Sequence, residues 1–218
     1  MVTIHHYIQL PMSRKVSDSL DLLAPPPPAG TPDHVGIGDE AEALSAIRDP
    51  RVTLAIWRRR PCIARVDLSA MPPIRFAAPA GQVAERLAAH WAERPPEPWQ
   101  VPLTQDVARL AALYAELAHE ARVEVRLERI AGNGCWKFHA DYVGLRLITT
   151  YWGQGTQWLP QGADADTAPQ ALAAGDVGLF KGRALAGDRA IIHRSPPIAD
   201  SGEDRLLLVI DAEWEQPD

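Results

Sequence analysis

The hydrophobic pattern of this chain changes period at Val123, and that change constrains its fold more than any other feature. Before it, Val107, Leu110, Leu113, Tyr114 and Leu117 recur at helical spacing and make one apolar stripe. From it, Val123, Val125 and Leu127 alternate with Glu124, Arg126 and Glu128, the pattern of a strand with one buried face. Gly, Pro, Asp and Asn then punctuate short apolar runs, which predicts strands at 123–130, 135–141, 145–152, 155–159, 177–181, 189–194 and 205–212. Many short strands following helices predict an α+β fold, with a sandwich or closed β-barrel core over 123–214, the barrel favoured.

The part before Val123 reads as the outer layer. Asp39 opens a short helix, DEAEALSAIR, with acidic residues in its first turn, where the helix dipole favours them. VTLAIW (52–57) reads as a strand. Residues 81–94 carry Val83, Leu87 and Trp91 at helical spacing. For the next helix the sequence predicts Thr104 as cap and Asp106 in the first turn. His90 and His119 on these helices read as surface or packing residues. A four-proline run, Pro25 to Pro28, cannot join a helix or a central strand. Residues 1–38 therefore read as an extension and linker, with His5 and His6 on a solvated end, and 39–218 as a single domain, helical over 39–122.

The formal net charge of −6 argues against a nucleic-acid partner, which calls for a basic face. Two cysteines, Cys62 and Cys135, make no disulfide framework. The N-terminus lacks a basic start followed by an apolar run, and no apolar stretch approaches the ~18–20 residues that span a bilayer. The expectation is a cytoplasmic protein without a membrane partner.

Three features of the β-rich half carry chemistry. Residues two apart on a strand share a face, so His139 and Asp141 can both point inward and grip one metal. His193 ends a short apolar strand and is followed by Ser195 and two prolines that stop pairing. Arg205 shares a face with Leu207 and Val209, and an arginine on a core-like face needs an anion, since a lone buried charge is costly. Two histidines and one carboxylate leave metal positions open, the arrangement used by non-haem iron(II) oxygenases. The open positions suit an α-keto acid, whose far carboxylate an arginine can hold through two bonds. Lys137 would also face inward beside His139 on a regular strand.

Other readings remain open on the residues alone. Cys135 joins the three ligands as an acceptable zinc set by residue type, but four residues of extended strand span roughly 13 Å. It reaches the metal only if the GNGC segment folds back at Gly132 and Gly134. His139 and Asp141 can also pair in a metal-free core. Trp152 and Trp158 read as packing for the barrel against the helices, or as pocket walls. No phosphate loop and no nucleophile elbow is present.

His139-x-Asp141, RLITTY (146–151), GQGTQW (153–158), GDVGLF (175–180), His193 and Arg205 together resemble, in order, iron(II)/2-oxoglutarate dioxygenases of the prolyl-hydroxylase type. That resemblance implies a double-stranded β-helix (jelly-roll or cupin-like) core with the N-terminal helices outside. It implies catalytic iron(II) on His139, Asp141 and His193, and 2-oxoglutarate on Arg205 with help from Tyr151 and Thr149. The insert PPIADSGED between His193 and Arg205 is longer than those enzymes commonly show, which weakens the role of Arg205 most. LAIWRRRP (54–61) and CWKFHADYVGLRLITTYWGQGTQWLP (135–160) resemble more closely the uncharacterised bacterial family DUF1826, from about residue 40 to the C-terminus. This second resemblance implies a link to metal homeostasis, with a GTPase metallochaperone as genomic neighbour. It makes a non-catalytic zinc-binding protein the rival of the oxygenase. The substrate, small molecule or protein, is not readable from the residues.

Overall fold

The computed structural model describes residues 30–68, 71–92 and 94–213. The expectations for His5, His6 and the proline run fall outside them.

Two antiparallel-dominated sheets and a helical layer organise the chain. The strands of the large sheet are β1 (Val35–Gly38), β2 (Leu54–Trp57), β3 (Ile74–Pro79), β4 (Arg122–Ile130), β5 (Leu145–Trp152), β8 (Val177–Lys181) and β10 (Arg205–Ala212). Between β5 and β10 come β6 (Gln157–Trp158), β7 (Gln170–Ala171) and β9 (His193–Arg194), which form a small sheet. The large sheet runs β1-β2-β8-β5-β10-β4-β3 and the small one β7-β6-β9. Only β1 and β2 pair in parallel; the other described strand pairs are antiparallel. Helices α1 (Val83–Trp91) and α2 (Gln100–Ala118) cover one face of the large sheet, and a one-turn helix α3 (Arg183–Ala186) follows β8.

The alternation at Val123 does what its period requires. Val123, Val125 and Leu127 are fully buried under α2, and β3 and β10 flank them on either side. From α2 come Leu103, Val107, Leu110, Ala111 and Tyr114, all fully buried. Each such aliphatic side chain contributes about 1.5–3 kcal/mol by leaving water. Tyr114 also donates its hydroxyl to Leu145 O at 3.0 Å, tying the helix to β5. A smaller apolar cluster, with Leu54, Ile56, Ile148, Trp158, Phe180 and Ile191, lies apart from the helical core.

Several boundaries differ from the sequence reading. The linker's last residues are strand: β1 pairs with β2 along the large sheet's edge, so the body starts before residue 39. Strand β3 was not expected. Its signal, the alternation of Ile74, Phe76 and Ala78, is short and sits between prolines. The segment at Asp39 is a 3-10 helix over Ala41–Arg48. Helix α2 begins at Gln100 rather than at Thr104, because Pro102 fits a first turn, where its missing N–H has no partner to lose. Thr104 is inside that helix and accepts the Trp91 indole N–H at 3.0 Å. His119 ends α2 in the left-handed region (φ 58°) and His90 stacks on Phe76, so both are structural. No continuous strand forms over 135–141; a single bridge joins His139 to His193. Trp152 belongs to the helical core and Trp158 to the smaller cluster, which makes both packing residues. No described helix is long and apolar enough to cross a membrane.

Candidate metal centre

The bridge between His139 and His193 builds the centre. The two residues exchange both backbone hydrogen bonds, at 3.0 and 2.8 Å, which sets their side chains on one side of the pair. Their ring centroids are 5.0 Å apart. Asp141, two residues past His139, turns its carboxylate between the rings. Its Oδ1 is 3.6 Å from His139 Nε2 and its Oδ2 is 3.1 Å from His193 Nε2. Ligand atoms from the three residues all lie within 4.8 Å of one another. Two donors at about 2.1 Å from one metal, roughly at right angles, are about 3 Å apart, so this spacing suits a common ion.

The hydrogen bonds prepare these donors. Nδ1 of His139 lies 2.8 Å from Lys137 O and can only donate there, which leaves Nε2 with its lone pair toward Asp141. Burial would push the Asp141 carboxyl up, but His193, Arg146 and His139 outweigh it and hold the carboxyl at about 2. It is therefore a carboxylate at neutral pH. Its Oδ2 is buried without a hydrogen-bond donor unless His193 supplies an N–H from Nε2. With that nitrogen unprotonated, two lone pairs face each other across 3.1 Å, and a cation between them satisfies both. The donor set fits a divalent metal.

Arg146, at the start of β5, was not singled out by the sequence reading. Its Nη1 lies 2.6 Å from Asp141 Oδ1, while Nε and Nη2 each donate to Asp211 of β10 at 2.7 Å. Asp211 is its cross-strand partner in the ladder. Both residues were visible as charges in otherwise apolar strands, but their pairing requires the strand order.

Arg205 is fully buried on β10. Its Nη2 donates to Thr150 Oγ1 at 3.1 Å and Thr156 Oγ1 at 3.3 Å, and its Nε and Nη1 have no partner among the described residues. Burial alone lowers its pKa to about 10, and no carboxylate among the described residues pairs with it. Among the described residues, four buried side-chain polar atoms lack a partner: Asp141 Oδ2, Arg205 Nε, Arg205 Nη1 and Trp152 Nε1.

Tyr151 and Thr149 are corrected. Both lie on the face of β5 turned toward α2, not toward the histidines. The Tyr151 hydroxyl donates to Asp106 Oδ2 at 2.9 Å, within a buried pair that Asp106 makes with Arg59. Thr149 Oγ1 is 3.4 Å from Gly175 O. Thr150, one residue along, supplies the hydroxyl that reaches Arg205. Lys137 is corrected too: it is exposed, 5.5 Å from the centre of the Trp136 ring. Cys135 is exposed and outside the three-residue ligand group, though it lines the same cavity. That cavity, about 340 Å³, opens beside His139 and His193, with Ile148, Leu207 and Val209 as apolar wall. Its volume is at the low end of small-molecule sites.

The model of the family described as "Protein of unknown function (DUF1826)" matches residues 38–211. No curated protein matches. Among solved structures, the chain is similar to a dioxygenase for auxin oxidation from Arabidopsis thaliana in complex with 2-oxoglutarate. The TM-score is 0.45 at 10% identity, covering 72% of this chain and 68% of that one. It is also similar to a rice dioxygenase for auxin oxidation, with TM-score 0.42 and 15% identity over 64% and 55% of the two chains. A third is JOX2 in complex with 2OG, Fe and JA, with TM-score 0.39 and 13% identity over 56% and 44%. The chain thus spans about half the length of the latter two.

Proposed function

We propose that this chain, which belongs to the DUF1826 family, is an iron(II)- and 2-oxoglutarate-dependent oxygenase, with His139, Asp141 and His193 as metal ligands and Arg205 as co-substrate anchor. One observation carries the reading. Of the four buried polar atoms without partners, three belong to Asp141 and Arg205: a carboxylate oxygen that wants a cation and a guanidinium edge that wants an anion. A metal answers the first and the far carboxylate of an α-keto acid answers the second.

The strand order supports a double-stranded β-helix. Four strands, β4-β10-β5-β8, stand side by side in the large sheet. Opposite them run the His139 bridge, β9, β6 and β7. These seven strands and one bridge follow the alternating order of the eight strands of a jelly roll.

Bound iron(II) supplies the dioxygen chemistry; the chain supplies the rest. His139 keeps Nε2 as the donor by holding its Nδ1 proton on Lys137 O. Asp141 contributes the negative charge. Arg205, aided by Thr150 and Thr156, binds and orients the co-substrate's carboxylate, and Ile148, Leu207 and Val209 keep water from that wall. The zinc-storage alternative loses Cys135 as a fourth ligand and is left with water in that position, because Cys135 is not among the converging groups.

The test is anaerobic addition of iron(II) and 2-oxoglutarate to metal-free protein. A weak visible charge-transfer band, absent from His139→Ala and His193→Ala, is expected. Protein that purifies with one zinc per chain and ignores 2-oxoglutarate, or a His139→Ala variant that keeps stoichiometric metal, overturns the proposal.

A further inference from the structure

Asp141 is held by an ion chain that runs away from the two histidines along the wall of the cavity. Arg146 grips Asp141 Oδ1 with one nitrogen, at 2.6 Å, and Asp211 with two others. Arg126 of β4 stands 3.8 Å from Asp211 on the far side. The side chains of Asp141, Arg146 and Asp211 are 15%, 17% and 11% exposed, so solvent weakens these bonds little. The Asp211 fork fixes the guanidinium plane, and a fixed guanidinium fixes the carboxylate it touches. Asp211 and Arg146 are paired across central strands β10 and β5, which makes the anchor rigid.

The geometry has a chemical consequence. A carboxylate can bind a metal through one oxygen or through two. Here Oδ1 is committed to Arg146, and Oδ2, which has no donor when His193 Nε2 is unprotonated, lies nearest His193. We infer that Arg146 is a positioning residue that confines Asp141 to one-oxygen ligation, so that the metal keeps the open positions a two-oxygen co-substrate needs. This rests on the metal-centre reading above. Arg146 touches neither metal nor substrate and acts through Asp141. Its removal frees Oδ1 to swing in as a second donor. Asp141 then occupies a position that 2-oxoglutarate requires, and metal is held by a looser carboxylate. Supporting residues of this kind typically change metal affinity by about 10–100-fold.

The test uses cobalt(II) as probe on full-length metal-free protein, because its visible spectrum reports coordination number without turnover. Wild type, Arg146→Met, Arg146→Lys and Asp211→Asn are compared, with urea unfolding as the check on folding. Arg146→Met should change the cobalt(II) spectrum, weaken cobalt(II) by about tenfold or more, and weaken 2-oxoglutarate binding to the cobalt form. Arg146→Lys, which keeps one donor for Oδ1, should restore the wild-type spectrum in part, and Asp211→Asn should shift it toward that of Arg146→Met. A folded Arg146→Met variant with the wild-type spectrum and wild-type affinities overturns the inference. If Arg146→Met does not fold, Asp211→Asn decides by the same readings. Wild type that binds cobalt(II) but not 2-oxoglutarate sinks the oxygenase reading alone, since the spectra still judge Arg146. Wild type that binds no cobalt(II) sinks both.

Discussion

Replacing Arg205 by Met should stabilise the protein without anion and destabilise it, relative to wild type, with anion. Arg205 is a charge buried without a counter-charge among the described residues. Burial brings the guanidinium down from an ordinary value of 12.5 to about 10. At about 1.4 kcal/mol per pH unit, that is a cost of about 3 kcal/mol carried by the folded state at neutral pH. The sign follows from the direction: a cation whose folded pKa is depressed destabilises the fold wherever it is protonated, which here is all ordinary pH. Met removes that cost but strands the hydroxyls of Thr150 and Thr156, each worth about 1 kcal/mol or less at these distances. The net gain is about 1–2 kcal/mol, or about 2–8 °C in Tm for a chain of this size. With metal bound and 2-oxoglutarate at a hundred times its Kd, wild type gains about 2.7 kcal/mol from binding that the variant lacks. The order of stabilities therefore crosses. Urea or thermal unfolding, with and without iron(II) and 2-oxoglutarate under anaerobic conditions, reads it directly. A variant less stable than wild type without anion, and equally stabilised by 2-oxoglutarate, would refute the assignment of Arg205 as a charge awaiting a partner.

Tyr151→Phe should leave 2-oxoglutarate affinity unchanged while lowering unfolding free energy by about 1.5–3 kcal/mol, the worth of a bond to a charged acceptor; a changed affinity would return Tyr151 to the site. Gly153→Ala should cost more than about 2 kcal/mol. Gly153 has φ +82° and an added Cβ would stand 2.4 Å from Asp204 O and 2.8 Å from Arg205 Cβ; a loss under about 0.5 kcal/mol would show that the start of β10 can give way. Acid should unfold the protein in two stages, followed by urea midpoints. Burial lowers the pKa of His34, whose Nε2 accepts the Gln161 N–H, so its contribution is complete above about 6.5 and fades as pH falls through the lower folded value. Arg51 holds Asp49 at about 2, and Arg129 and Arg65 outweigh burial to lower Asp204. Their contributions are present above about 4 and fade toward pH 2. His34→Gln should flatten only the first stage; an unchanged profile between pH 7 and 5 would remove His34 as its cause.

The legibility of the sequence was uneven for physical reasons. Strand β4 was readable because one of its faces meets helices and the other carries Glu124, Arg126 and Glu128. Strand β5 was not readable in register, because it is central and buried on both faces, and alternation then has no sign. A slip of one residue swaps faces, which is how Tyr151 and Thr149 stood in for Thr150. His139 and Asp141 were expected together through regular strand geometry. They meet instead outside any continuous strand, with one bridge from His139 to β9, so residue type and order were sounder guides than the strand. Arg146 and Asp211 were hidden for another reason: 65 residues separate them, and only the adjacency of β5 and β10 makes them a pair.

The division of the large sheet between its two faces explains why such a site can persist. The face toward α1 and α2 holds the main apolar core, including Leu103, Val107, Leu110, Val125, Leu127, Leu147 and Leu208, all fully buried. The other face carries the charged wall of Arg126, Arg146 and Asp211, and the buried Arg205. A fold whose stability came from both faces would be compromised by an unpaired guanidinium costing about 3 kcal/mol. Here that cost falls on the face that contributes least apolar packing, and the helices on the other side offset it. The buried charge of Arg205 is then tolerated because the layers divide their work: α1 and α2 pack the main core on one face of the sheet, and the charged residues stand on the other.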